Sequence, residues 1–148
     1  MGFKGWLCHR GESNSPIILI RLMVGAVFLS EGIQKFLFST ELGTGRFLKI
    51  GIPMAHVMAP FVGVVEIVCG TLLLVGLFTR ISAIPLLIDI CVAILTTKLP
   101  MLIHKGFWTT AHEGRTDFSM LLALLFLLYV GGGGTSLDST LCRKEGKQ

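Results

Sequence analysis

IILIRLMVGAVFLSEGIQKFLF, residues 17–38, decides the fold. It is long enough to cross a bilayer as one helix, which takes roughly 20 apolar residues, yet it holds Arg21, Glu31 and Lys35. Each such group costs about 2.5–3.5 kcal/mol at the centre of a span on insertion scales, so it should face a bundle interior or find a partner. At about 100° per residue, Lys35 falls about 40° and Glu31 about 80° from Arg21, with Gly25, Phe28 and Gly32 in the same sector. One face therefore carries the charge and the glycines. The opposite face, with Leu19, Val24 and Leu37, is expected to meet lipid.

Three more apolar stretches lie further along, which predicts spans at about 17–38, 54–78, 81–99 and 111–130. The expected fold class is an all-α membrane protein: a four-transmembrane-helix bundle, antiparallel and up-down, one integral membrane domain over 1–148 with short polar tails. Composition agrees. Of 148 residues, 52% are hydrophobic and 15% charged, against about 25% charged in ordinary domains, and mean hydropathy is +0.76. A disordered chain, a coiled coil and a soluble domain are excluded. The run from Ile17 is too long for a cleavable signal peptide and no small-residue cleavage site comes after it.

Local signals set the boundaries. Ser15-Pro16 opens the first helix and Pro53 the second, where Pro60 predicts a kink. The short link Thr79-Arg80 makes the second and third helices antiparallel neighbours. Pro100 is expected to end the third span, with Met101–Thr109 leading across. Thr110-Ala111-His112-Glu113 fits a capping box opening the fourth helix, and Gly131–Gly134 stops it. Four spans put both termini on one side with Lys4, Arg10, Arg80, Arg143, Lys144 and Lys147, against Arg46, Lys49, Lys98, Lys105 and Arg115 on the other. That narrow excess points to cytoplasmic termini. The lipid bilayer is the first expected partner. No basic stripe interleaves with aromatics, so nucleic acid is not expected.

Further ionisable groups stand at membrane depth: Glu66, Asp89 and Asp117. On the second helix Ala59, Gly63, Glu66 and Gly70 share a stripe, and small residues there let another helix approach closely. Ser82, Pro85, Asp89, Ala93 and Thr96 form a similar stripe on the third. At about 1.5 Å per residue, Glu31, Glu66 and Asp89 reach similar middle depths and are the candidate ligand-binding residues. Three acids in a low dielectric are not all ionised at small cost, so at least one of Glu66 and Asp89 is expected protonated and donating a hydrogen bond. Lys35, nearer the far surface, is expected to pair with Asp117, and Arg21 to snorkel to the near surface. The same groups admit two readings, a purely structural network or a site for a proton, a ligand or a quinone headgroup. No catalytic residue is assigned.

His56, His104, His112 and Glu113 fall on one side, where a loosely spaced metal site is conceivable; solvated interfacial histidines are the alternative. No histidine pair lies deep enough for haem b. Phe107, Trp108 and Tyr129 read as interfacial aromatics. Cys8, Cys69, Cys91 and Cys142 make no CxxC pair. Cys69 and Cys91 read as packed thiols, with a disulfide as the alternative, and Cys8 and Cys142 as thiols in a reducing cytosol.

Taken in order, Arg21-Leu22-Met23-Val24-Gly25, Glu31-Gly32-Ile33-Gln34-Lys35-Phe36, Gly63-Val64-Val65-Glu66 and Leu73-Leu74-Val75-Gly76-Leu77-Phe78-Thr79-Arg80 resemble the DoxX family of small four-helix membrane proteins. The ending Gly134-Thr135-Ser136-Leu137-Asp138 resembles that family's closing Gly-x-Ser-x-Asp segment. The resemblance covers roughly residues 16 to 140. It implies a multi-pass protein of the bacterial inner membrane. Relatives are linked to redox complexes, among them thiosulfate:quinone oxidoreductase, and to superoxide dismutase and a sulfurtransferase. The resemblance therefore implies a membrane subunit or anchor of a redox complex, quinone-contacting, with soluble redox proteins or further copies of itself as partners, rather than a stand-alone oxidoreductase. No cofactor motif is evident. The layout is also similar to four-helix quinone reductases of the vitamin K epoxide type, but their CxxC is absent. A small-molecule or proton-coupled carrier using the buried acids is the alternative.

Overall fold

The computed structural model describes residues 16–138. Cys8 and Cys142, and the terminal lysines and arginines of the charge comparison, lie outside them. The described chain is helical throughout, without strands: α1 Ile17–Leu37, α2 Thr44–Lys49, α3 Ala55–Val75, α4 Thr79–Ala93, a π-helical turn Ile94–Lys98, α5 Leu99–Lys105 and α6 Phe107–Val130. Three helical stretches are long and apolar enough to cross a membrane: Ile17–Leu37, Ala55–Val75 and Thr79–Lys105. The long α6 carries Glu113, Arg115 and Asp117 in its first half and is apolar only from Phe118 onward.

The central packing is α1 against α3, antiparallel and held close by glycines. A Cβ built on Gly70 would lie 2.8 Å from the Leu29 nitrogen and 2.9 Å from the Gly25 oxygen; one on Gly32 would lie 2.7 Å from the Gly63 oxygen. Backbone cannot give way as a side-chain tip can. Gly70→Ala is therefore expected to force the helices apart and lower stability by ~1–3 kcal/mol, the usual overpacking range, measured as a fall in unfolding midpoint in detergent. Gly51, where an added Cβ meets nothing within 4 Å, does not share that crowding.

The core around this seam joins Val24, Phe28, Cys69 and Leu73 to Leu86 and Ile90 of α4 and Met120, Leu124 and Leu127 of α6. Val24 is fully buried, contrary to its expected lipid-facing position. Three residues on from Arg21 is nearly a full turn, which returns Val24 to the charged face. Leu19 and Leu37 do face outward. The expected loop after α1 contains α2, whose Phe47 covers Ala55 and Ala59.

Three boundaries differ from those expected. Thr79 and Arg80 are not the link between the second and third spans: they form the first turn of α4, and residues 76–78 make the turn, with Gly76 and Phe78 at positive φ. Pro100 does not end the third span: it occupies the first turn of α5, and the helix continues to Lys105. A proline there cannot donate to the carbonyl four residues back. The chain adapts through the π turn, where Thr96 and Thr97 donate to the Val92 and Ala93 carbonyls at 2.8 and 2.6 Å. The capping box at Thr110 does not form either. Gly106, at φ 82°, breaks the chain earlier and α6 starts at Phe107. The Thr110 hydroxyl donates instead to the Gly106 carbonyl, 3.0 Å away.

Candidate functional site

Antiparallel helices bring polar groups together in a predictable way, because each Cβ leans toward its own helix's N-terminus. With Gly25 opposite Gly70 and Gly32 opposite Gly63, Lys35 on α1 leans toward one end of the bundle and Glu66 on α3 toward the other. They meet. The Lys35 Nζ donates to the Glu66 Oε1 and Oε2 at 2.7 and 2.6 Å, with side-chain exposures of 12% and 3%. Glu66 is in hydrogen-bond contact with Asp89 of α4, and Asp89 also feels the charges of Lys35 and Glu31. Glu31 sits at the exposed side of the group. Glu66 and Asp89 thus lie together beside Lys35, and Glu31 acts on Asp89 through its charge from the exposed side.

Ionised carboxylates only accept hydrogen bonds, so a contact between two carboxyl groups requires a proton on one of them. Glu66 holds the ammonium of Lys35 with both oxygens, and one proton is shared between Glu66 and Asp89. The cluster is then an ammonium in the last turn of α1 beside a carboxylate and a neutral carboxylic acid further inside α3 and α4. Such a group can donate to a bound carbonyl and exchange a proton with it.

The expected pair of Lys35 with Asp117 is corrected: Lys35 is taken by Glu66, and Asp117 is bound by Lys98 at 3.1 Å. The π turn carries an extra residue per turn and swings Lys98 toward α6, where it also donates to the Glu113 carbonyl at 3.0 Å. Arg21 does not snorkel. It is 2% exposed and donates to the carbonyls of Leu73 at 2.8 Å, Leu74 at 3.4 Å and Gly132 at 2.8 Å. The metal candidates His56, His104, His112 and Glu113 do not assemble: among the described residues no group of three or more His, Cys, Asp or Glu could hold a metal ion. Loose spacing over separate helices leaves them apart, with His112 beside Arg115. Cys69 and Cys91 are unbridged, Cys69 buried and Cys91 exposed.

A second polar assembly closes the near end of the bundle, and its arginines are not foreseeable from depth along the helices. Arg80 donates to the Tyr129 and Val130 carbonyls at the end of α6, 2.8 and 3.2 Å away, as Arg21 does at the end of α3. Cations suit helix C-termini, where carbonyls lack partners. Asp138 caps α4, accepting from the Phe78 and Thr79 amides at 2.7 and 3.0 Å. The ending that resembles Gly-x-Ser-x-Asp is the available signal: it folds back over Gly76 and fastens three helix ends. Asp138→Ala is expected to cost ~0.5–2 kcal/mol, the range for a lost N-cap. Hydrogen exchange should accelerate at Phe78 and Thr79 ahead of the α1–α3 seam.

A bundle of apolar helices with an ionisable cluster in its interior and its helix ends clamped by arginines defines an integral membrane protein with a buried polar centre. The model of the DoxX family matches residues 17–99, and the chain belongs to that family. It is 55% identical to the membrane protein Rv3486 of Mycobacterium tuberculosis over 90% of this chain and 85% of that one. It is 34% identical to a Haemophilus influenzae protein over 90% and 97% of the two chains. With the "Putative oxidoreductase CatD" of Bacillus subtilis it shares 31% identity, over 82% of this chain and 83% of that one. No solved structure matches the chain.

Proposed function

We propose that this protein is a membrane subunit of a bacterial inner-membrane redox complex and that its polar cluster holds a quinone headgroup. In this reading α6 completes a four-span bundle with cytoplasmic termini, and soluble redox proteins dock outside it. The observation that carries the proposal is the Lys35–Glu66–Asp89 group. A quinone, when bound, carries electrons and protons within the bilayer, and its carbonyl oxygens call for donors. The Asp89 hydroxyl and the Lys35 ammonium supply two. Glu66 keeps Lys35 charged and fixes its position, and Glu31 at the exposed side offers a route for the proton between Asp89 and water. The name of the Bacillus subtilis relative points the same way.

Quinone retained by the gently purified protein, measured by mass spectrometry of the extracted lipids, tests this. Asp89→Leu removes a donor and leaves the Lys35–Glu66 pair in place. It should insert and purify normally and retain at least about tenfold less quinone, the equivalent of one lost hydrogen bond to a charged or polar group. Wild-type protein without quinone, carrying out flux of protons or small solutes in proteoliposomes, would instead favour a carrier built on the same acids.

A further inference from the structure

α1 and α6 are neighbours in the bundle, and the two halves of the seam between them differ. The near half is closed. Ile17, Val24 and Phe28 of α1 and Leu124 and Leu127 of α6 are buried, and Arg21 ties α1 to the Gly132 carbonyl at 2.8 Å. In the far half the residues that fall on the seam are polar and exposed. Counted at about 100° per residue from the buried Phe28, Leu29 and Phe36 turn to one side, and Glu31 lies about 60° to the other. The first side is that of α3, where Leu29 meets Gly70 and Phe36 meets Gly63. On α6, Asp117 and Gly114 turn from the buried Met120 toward Lys98. Thr116 and Ser119 lie about 40° and 100° to the opposite side, which is that of α1. Glu31, Thr116 and Ser119 are all exposed. At about 1.5 Å per residue, Glu31 stands about 21 Å from Ile17 and Ser119 about 17 Å from Val130, within the ~30 Å of a hydrocarbon layer.

Glu31 forms no ion pair among the described residues. Facing lipid at that depth, its carboxylate would bear the insertion cost of an unpaired charge, whereas a groove that admits water keeps it solvated. It also acts on Asp89 through its charge, which sets the open half of the seam beside the polar cluster. Phe28 and Met120, joined in the apolar core, close the seam below. We infer that the far half of the α1–α6 seam is a water-filled groove through which Glu66 and Asp89 exchange their shared proton with the far side of the membrane, and with that side alone. The groove stands on these residues; its use for the protons of a quinone rests on the proposed function.

A membrane-impermeant maleimide applied to the full chain in right-side-out and inside-out vesicles tests this, with the labelled position identified by peptide mass so that the native cysteines stay. Lys105→Cys, exposed at the far end, marks the vesicles that present that side. There Thr116→Cys and Ser119→Cys should react at least tenfold faster than Phe118→Cys, which lies between them in sequence and is exposed on the lipid face. From the near side neither should react. If Phe118→Cys does not purify, Leu122→Cys one turn on takes its place. Once Ser119→Cys carries the maleimide, deuterium from heavy water should enter the neutral carboxyl group at least tenfold more slowly, followed by its infrared stretching band. Ser119→Cys reacting no faster than Phe118→Cys would mean that lipid or a second copy fills the seam, and overturns the inference. Reaction from the near side, or deuterium entry unchanged by the bound reagent, overturns it as well. Wild-type protein without bound quinone overturns the proposed function and leaves the groove standing.

Discussion

Glu66→Gln is expected to destabilise the protein by about 3 kcal/mol, whereas Asp89→Asn one helix away should change stability by less than about 1 kcal/mol. Removing one member of a buried ion pair costs ~3–5 kcal/mol because the other is left without its countercharge. Glu66 holds Lys35 with both oxygens. The lower end of that range applies because Asp89, close to both, can release its proton and take up part of the role. In the proposed function Asp89 is the neutral member, so an amide of the same shape replaces it at little loss. The double variant Lys35→Met/Glu66→Met should recover most of the stability, since a well-packed apolar pair often equals a buried ion pair. Equilibrium unfolding in mixed micelles checks the series. A Glu66→Gln variant as stable as Asp89→Asn would place the proton on Glu66 instead.

Arg21→Leu should be as damaging, lowering stability by about 3 kcal/mol or more. Arg21 serves Leu73, Leu74 and Gly132 at once, and hydrogen bonds to a charged group contribute ~1.5–3 kcal/mol each. Losing it strands the buried Gly132 carbonyl and leaves Leu73 only the Gly76 amide. Arg21→Lys should fail to rescue, because an ammonium has no planar fork to span carbonyls on two separate segments. Gly76 sharpens this: a Cβ there would lie 2.5 Å from the guanidinium carbon. Cysteine pairs placed across the near end, at exposed positions of the closing segment and α1, should cross-link in wild-type protein and lose efficiency in Arg21→Leu.

Much of this arrangement is legible in the residues. The charged sector of α1 and the small-residue stripe of α3 predict that these helices meet, and they meet through Gly25, Gly32, Gly63 and Gly70. Equal depth predicts that Glu66 and Asp89 come near one another, and they lie close enough for each to influence the other's charge. Pairings are harder to read, because depth measured along a helix axis ignores the lean of long side chains. Lys35 reaches back toward Glu66 and leaves Asp117 to Lys98. Arg21 defies a rule about exposed surfaces, since helix ends buried by a returning segment are invisible to a count of apolar residues. The π turn before Pro100 has no simple sequence mark, and without it neither the long third helix nor the partner of Asp117 can be anticipated. Asp138 sits more than a full helix from α4 in sequence, so its capping role depends on the Gly131–Gly134 turn that returns it.

In the proposed function Asp89 carries a proton beside the Lys35–Glu66 pair and offers it to a bound quinone headgroup. Infrared difference spectroscopy of the reconstituted protein on addition of a decyl-substituted benzoquinone reads that proton directly, through the stretching band of a neutral carboxylic acid. The expected result is a single such band that shifts on quinone addition, persists in Glu31→Gln and disappears in Asp89→Asn. A spectrum with no neutral carboxyl band from the cluster, or one that Asp89→Asn leaves unchanged, would contradict it.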